Sequence, residues 1–286
     1  MDELVIAHEA TIRLGFFLGV FALMALWEVL SPRRRPAVSK LLRWGNNLGL
    51  VVFNSVLLRL IFPAAAVGVA AFAGEQGWGL LNHYSLPLWL SLAISLFVMD
   101  LVIYLQHVLM HAIPILWRLH RVHHADLDYD VTTGARFHPI EIILSMLIKF
   151  ATIVVLGPTI VAVVIFEIVL NAMAMFNHAN VRLPLPVDRV LRQLVVTPDM
   201  HRVHHSVDHD EANSNFGFNL ALWDRLFGTY RDQPRAGHEE MIIGIQDHRT
   251  PGEVTWIHGI LWLPFRGPVG NYPINRSRSL KGRLTK

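Results

Sequence analysis

The sequence predicts an all-α, polytopic membrane helical bundle of four to five membrane segments. A cytosolic helical and loop cap is expected to hold a histidine-rich di-metal site. Three observations lead there. Hydrophobic residues make up 53% of the 286-residue chain and charged residues only 16%, against about a quarter charged in ordinary soluble domains. Five apolar stretches approach the roughly twenty residues that cross a bilayer. The pentapeptide HRVHH occurs twice, at His120–His124 and His201–His205, among ten of the sixteen histidines that fall between positions 107 and 205.

The N-terminus MDELVIAHEATIRLG has no basic region and no small-residue cleavage site, so the first apolar run, near Ile12–Leu30, is expected to stay as an anchor rather than act as a cleaved signal. The second run, near Leu48–Ala73, is interrupted by Arg59 and Pro63. Arg59 is expected to snorkel or to face a polar headgroup. The third lies near Leu86–Gln106. The fourth and fifth, near Ile140–Leu156 and Thr159–Phe176, are separated only by GPT and read as a tight helical hairpin, spanning or re-entrant. Lys149 and Glu167 sit at similar distances from that turn, on the order of 13 Å along antiparallel helices, and are expected to pair because isolated charges in lipid are costly.

After Phe176 the chain turns polar, as a cap would. The segment Val254–Phe265 (VTWIHGILWLPF) is too short to span and reads either as interfacial or as cap core. The tail NRSRSLKGRLTK is basic enough to touch anionic headgroups. This divides the chain into N-terminal transmembrane helices (1–95), a histidine-box region with its hairpin (96–232, hairpin 140–176) and a cytosolic or interfacial tail (233–286).

Charge sets the orientation. Arg33, Arg34, Arg35, Lys40 and Arg43 lie between the first two runs, and the loop Gly74–Ser85 has no Lys or Arg. The positive-inside rule then puts the first loop in the cytoplasm and every histidine from His107 to His205 at the cytoplasmic end. Net charge is only +3, with its basic excess beside apolar runs. That is membrane flanking, and no nucleic-acid partner is expected. With no cysteine in the chain, disulfides and thiolate metal sites are excluded.

Neutral imidazole is a common metal ligand, and residues three or four apart share a helix face. His107 and His111 therefore point one way, as do His120, His123 and His124, and again His201, His204 and His205. A structural zinc site closes at four ligands, so ten histidines suit two ions. The two HRVHH copies would form facing walls of one dinuclear cage. Single His138 and His178 have no spacing signal of their own. His8, His83, His209, His238, His248 and His258 read as ordinary surface or hydrogen-bonded residues. No Glu-x-x-His and no His-Glu-x-x-His occurs, which excludes carboxylate-rich di-iron bundles and zinc-protease helices. Asp126, Asp130, Asp199 and Asp208 lie close to the boxes in sequence. Asp100, two helical turns before His107, and Glu141 are the carboxylates expected to hydrogen-bond ligating imidazoles.

These residues resemble the fatty acid hydroxylase superfamily, or sterol desaturase family. DLVIYLQHVLMHAIPILWRLHRVHH (Asp100–His124) is similar to its first two histidine boxes. TTGARFHPIE (Thr132–Glu141) and FNHANVRLP (Phe176–Pro184) are similar to intervening segments of its bacterial members. VTPDMHRVHHS (Val196–Ser206) is similar to its third box, and NSNFGFNLALWDRLFGTY (Asn213–Tyr230) to the stretch after that box; the resemblance covers roughly 95–232.

It implies a membrane enzyme with a cytosol-facing pair of iron ions. Such an enzyme uses O2 as co-substrate and two electrons to hydroxylate or desaturate a C–H bond of a lipid, whether sterol, fatty acyl or related. The box histidines map onto His107, His111, His120, His123, His124, His201, His204 and His205 as catalytic ligands, with His138 and His178 as two further metal ligands. The chain shows no fused electron-transfer domain, so reductant is expected from a separate electron-transfer protein. The expected location is a bacterial inner membrane or the endoplasmic reticulum. Two other readings compete. A membrane di-zinc hydrolase would call on Asp126 or Glu141 as acid/base. A metal transporter or scaffold would place its ligands near the bilayer midplane.

Overall fold

A computed structural model describes residues 2–270 and 272–274, with side chains from residue 7 onward; the basic tail 275–286 lies outside the described residues. Among them the chain is helical, and only isolated β-bridges occur: Pro32 with Val181, Val195 with Leu220, and Ser206 with Ile243. Five segments are long and apolar enough to cross a membrane: Ala7–Leu30, Lys40–His83, Leu88–Ala112, Pro139–Leu156 and Ile160–Asn177.

Helix α1 (Asp2–Leu30) packs along α7 (Ile160–Asn177) and exposes Leu14, Phe16, Leu18, Leu23 and Leu26 outward, as a lipid-facing helix should. The second apolar run is two helices rather than one. α2 (Lys40–Ile61) starts at Ser39, whose side chain accepts from the Leu42 N–H. It stops at Phe62 because Pro63 has no N–H and pushes the preceding residue out of the helical region. α3 (Ala65–Glu75) then turns back against α6 (Pro139–Leu156) and α7. Its small Ala66, Val67 and Ala70 pack with Ile153, Leu156, Val163, Val164 and Phe166. Arg59 stands exposed on α2.

The GPT turn is a hairpin as expected. Gly157 caps α6 in the left-handed region (φ 69°), and the Thr159 side chain accepts from Ala162 N–H to start α7. Gly79 touches the Gly157 backbone directly. The hairpin tip and the 76–87 loop therefore share one end of the bundle. Lys149 Nζ meets Glu167 Oε1 at 2.6 Å, as expected, and Arg13 of α1 adds a second cation 3.2 Å from Glu167 Oε2.

The opposite end holds the basic loop and the cap. Glu28 at the end of α1 accepts from the backbone of Val131 and Asn180, and Asp128 accepts from Ala37 and Val38. Buried Arg43 of α2 forks onto Asp126 (2.7 Å twice) and reaches Asp130 (2.6 Å). The segment 254–265 contributes to the cap core, one of the two readings its sequence allowed. Val254, Ile260 and Leu263 join Leu50, Trp117 and Val122 in the cap core, while Trp256, Trp262 and Phe265 stay exposed.

Candidate metal centre

α4 (Leu88–Ala112) carries His107 and His111 one turn apart at its C-terminal end. Ile113 is extended, and Pro114 opens α5 (Pro114–His124), so the chain folds back and the first HRVHH forms the last turns of α5. His178 caps α7. After α8 (Leu185–Leu191), Thr197 caps α9 (Pro198–His204) with Pro198 at its first position, and the second HRVHH occupies that short helix. Nine histidines meet here, none more than 6% exposed.

They form two groups, each with ligand atoms within 4.8 Å of one another: His107, His111, His120, His124 and His204 in one, His123, His178, His201 and His205 in the other. Each HRVHH copy is shared between the groups, and reciprocally. The first gives its outer pair, His120 and His124, to the five-membered group and His123 to the other. The second gives His201 and His205 to the four-membered group and His204 to the first. All three rings of a copy lie on one broad face, but i+4 falls about 40° to one side of i and i+3 about 60° to the other, so facing copies of one pentapeptide furnish two neighbouring sites.

The ring tautomers decide what the site can hold. His107 donates its Nδ1–H to the Phe216 carbonyl (2.8 Å), His204 to the Ser214 carbonyl (2.7 Å) and His120 to Glu141 Oε1 (2.6 Å). Carbonyl and carboxylate oxygens only accept, so each Nε2 is left with a bare lone pair. Yet His107 Nε2 lies 3.1 Å from His120 Nε2 and 3.0 Å from His204 Nε2. Lone pairs facing at that distance repel unless a cation lies among them. In the other group His178 donates Nδ1–H to Ala174 O (2.8 Å), and its Nε2 faces His123 Nε2 at 3.2 Å. Neither ring nitrogen of His201 or His205 has a protein partner, and a buried polar atom left so costs about 1–3 kcal/mol. The donor set fits a pair of imidazole-loving cations.

The charge state agrees. Burial, then the neighbouring imidazoles, pushes His123, His124, His201 and His205 well below the usual imidazole range; burial does the same to His204, and brings His178 down to about 3. These rings are neutral ligands at pH 7. Aromatic side chains pack against the cluster. Phe137 stacks on His123 (4.6 Å, 10°), Phe216 stands edge-on to His107, His111 and His204, and Trp117 lies against His111 and His124.

Two expected site residues sit elsewhere. His138 joins neither group. It caps α6, its Nδ1 accepting from Ile140 N–H (3.2 Å) while Nε2 faces the Leu261 carbonyl at 3.2 Å. Both ring nitrogens are occupied, which fits its place ahead of Pro139 at a helix start. Asp100 shares the face of His107, but two turns away it is about 10 Å along the axis, beyond contact. It accepts instead from Leu220 N–H (3.2 Å) and Trp223 Nε1 (2.8 Å). Glu141 does meet a box histidine, His120.

Asp126 and Asp130 bind Arg43, Asp199 binds Arg33 and Arg202, and Asp208 binds Arg235. The partners that residue typing missed are mostly backbone carbonyls, those of Phe216, Ser214 and Ala174; the side-chain addition is Asn213, whose Oδ1 lies 3.3 Å from His111 Nδ1. Of the six histidines read as ordinary, none enters either group; His238 and His248 are buried against other polar side chains.

Residues 92–229 match the family model for fatty acid hydroxylase. The chain is 27% identical over 233 residues to an ornithine lipid hydroxylase of Rhizobium tropici, an alignment spanning 77% of this chain and 67% of that protein. It is 28% identical over 144 residues to the alkylglycerol monooxygenase of Homo sapiens and 32% over 129 residues to that of Xenopus tropicalis. Those matches span 50% and 44% of this chain but only 30% and 27% of the monooxygenases. No solved structure matches the chain significantly.

Proposed function

We propose, from the match of residues 92–229 to the family model for fatty acid hydroxylase, that the chain is a membrane lipid hydroxylase whose nine clustered histidines hold two iron ions. One observation carries the reading: three buried Nε2 lone pairs are fixed by acceptors on the far side of each ring, and those of His120 and His204 lie 3.1 and 3.0 Å from that of His107. Iron held there would activate O2, so that one oxygen atom enters a lipid C–H bond and the other leaves as water with two electrons and two protons.

The chain's own residues do the rest. Glu141 and the Phe216 and Ser214 carbonyls orient His120, His107 and His204 and raise their basicity. Phe137, Phe216 and Trp117 line a dry wall. The spanning helices bring a lipid substrate laterally to the inner end of α4. That end faces the cytoplasm, because the loop with Arg33, Arg34 and Arg35 lies beside it, Arg33 reaching Asp199 of α9 and Arg34 the Met241 carbonyl. A separate cytoplasmic protein supplies the electrons.

The hydrolase alternative loses ground, because Asp126 is consumed by Arg43 and Glu141 by His120. The transporter alternative fits poorly too, since the ligands gather at one end of the bundle, away from the midplane. Lipid mass spectrometry of cells expressing the wild type and His204→Ala, with metal analysis of both purified proteins, is the test. A lipid gaining one oxygen atom only with the wild type, and iron depleted in the variant, is expected. Stoichiometric zinc with a hydrolysed lipid would sink the oxygenase reading.

A further inference from the structure

By its polar sequence the cap is expected to be cytosolic. We propose that part of it, α8 with Leu194 and the short helix Leu222–Leu226 with Phe227, is a wedge sunk into the inner leaflet. Its occupant is lipid. The inference rests on reading α4 as a membrane-spanning helix.

Depth is the first argument. Trp223 packs on Phe97 of α4 (ring centroids 4.6 Å, 54°) and Phe227 stacks on Tyr104 (5.4 Å, 17°). Phe97 lies ten residues before His107, about 15 Å nearer the hairpin end at 1.5 Å per residue. It is nine residues from Leu88, where exposed Trp78, Tyr84 and Trp89 make the aromatic belt of the other interface. A hydrocarbon core about 30 Å thick measured from Leu88 ends near His107. The helix at 222–226 therefore lies beside α4 within that thickness, not beyond it.

The second argument is surface chemistry. The outward side chains of the two pieces are mainly apolar: Leu185, Val190, Leu194 and Leu226 are 65–69% exposed and Phe227 51%, with Arg189 and Gln193 the exposed polar residues of α8 and its end. The pieces are joined, since Ala221 N–H donates to the Leu194 carbonyl (3.1 Å) and Val195 bridges Leu220. Phe97 of α4, which packs on Trp223 of the 222–226 helix, is itself 44% exposed.

The third is polar accounting. Irregular backbone is tolerated at bilayer depth only where its polar groups are satisfied by protein. Asp100, a carboxylate in mid-helix, accepts from Leu220 N–H and Trp223 Nε1. Asp224 accepts from Phe216 and Gly217 N–H, and Asn177 donates to the Phe218 carbonyl. A segment at bilayer depth requires this provision. It gives Asp100 a role that the metal centre does not.

The chain has no cysteine, so single-cysteine spin labels need no background removal. Val190→Cys and Leu226→Cys in the full chain, reconstituted in phosphatidylcholine–phosphatidylglycerol vesicles, would be read by collision with oxygen and with a water-soluble nickel chelate. Leu147→Cys on α6 and Ala236→Cys in the polar cap are the lipid and water references. At positions 190 and 226 the oxygen-to-nickel ratio should match that at 147 and be inverted relative to that at 236. Ratios like that at 236 would overturn the wedge. So would exclusion of both probes with dipolar broadening, the mark of a second copy on this face. A water-like ratio at 147 would instead overturn the spanning reading on which the wedge rests. If either variant fails to accumulate, Leu194→Cys and Leu222→Cys carry the same readings.

Discussion

A hydrogen bond of 2.6 Å from His120 Nδ1 to Glu141 fixes which nitrogen of that ring faces the centre. Outer partners of this kind are typically worth 10–100-fold in metal affinity. Glu141→Ala should therefore lower iron affinity about 10–100-fold, whereas Glu141→Gln, which keeps an acceptor oxygen, should lose less. Equal losses measured by competition with a chelator would show that the contact does not orient His120.

His238 permits a second residue-scale prediction. Burial brings it down to about 3 from 6.5, against the opposing pull of Asp199, with Arg202, Arg33 and Arg192 adding to the depression. A depressed folded-state value means the unfolded chain binds the extra proton. Stability is then complete above pH 6.5 and is lost as pH falls toward 3. His238→Gln should flatten the acid limb of the melting temperature against pH by up to one proton's worth; an unchanged limb would show that this ring is not held neutral by the fold. At this scale the sequence was informative where side chains pair by type. The Lys149–Glu167 ion pair and a contact of Glu141 with a box histidine were legible, because charge in lipid and imidazole N–H both demand partners, though which histidine was not. The carbonyls that hold His107, His178 and His204 were not, because every residue has one.

Among the elements, the hairpin between α6 and α7 was readable from GPT, and the structure shows what makes the turn strict. Gly157 is left-handed at φ 69°, and a Cβ there would meet Asn82 Nδ2 at 2.7 Å and the Trp78 carbonyl at 2.9 Å. Gly157→Ala should cost about 1–3 kcal/mol from backbone strain, seen as a lower melting temperature in detergent. No change would mean that the tip does not pack on the 78–82 loop. Other elements were less legible. Pro63 announced an interruption, but only packing against α6 and α7 shows that α3 is a separate returning helix. His138 lies between the boxes and was a candidate ligand, yet its position before Pro139 makes it a helix cap. Residue type and order cannot separate those roles when a single histidine lacks an i+3 or i+4 companion.

For the whole molecule, the nine histidines bring together the end of α4, the end of α5, the end of α7 and α9. A cation that binds this arrangement and not the unfolded chain stabilises the fold by mass action, about 2.7 kcal/mol at a hundred times its dissociation constant. In a protein of this size that corresponds to a rise in melting temperature of several degrees. Iron-loaded protein should melt well above chelator-stripped protein, independently of any turnover. His204→Ala removes a ligand whose Nε2 lies 3.0 Å from that of His107, so it should cut the metal-dependent rise. His138→Ala should behave differently. It removes a helix cap worth about 1 kcal/mol, so both forms should melt lower, but the gap between loaded and stripped protein should persist. A gap that survives His204→Ala, or one that closes in His138→Ala, would mean that the convergence of these rings is not what binds the metal, and the hydroxylase proposal would lose its physical basis.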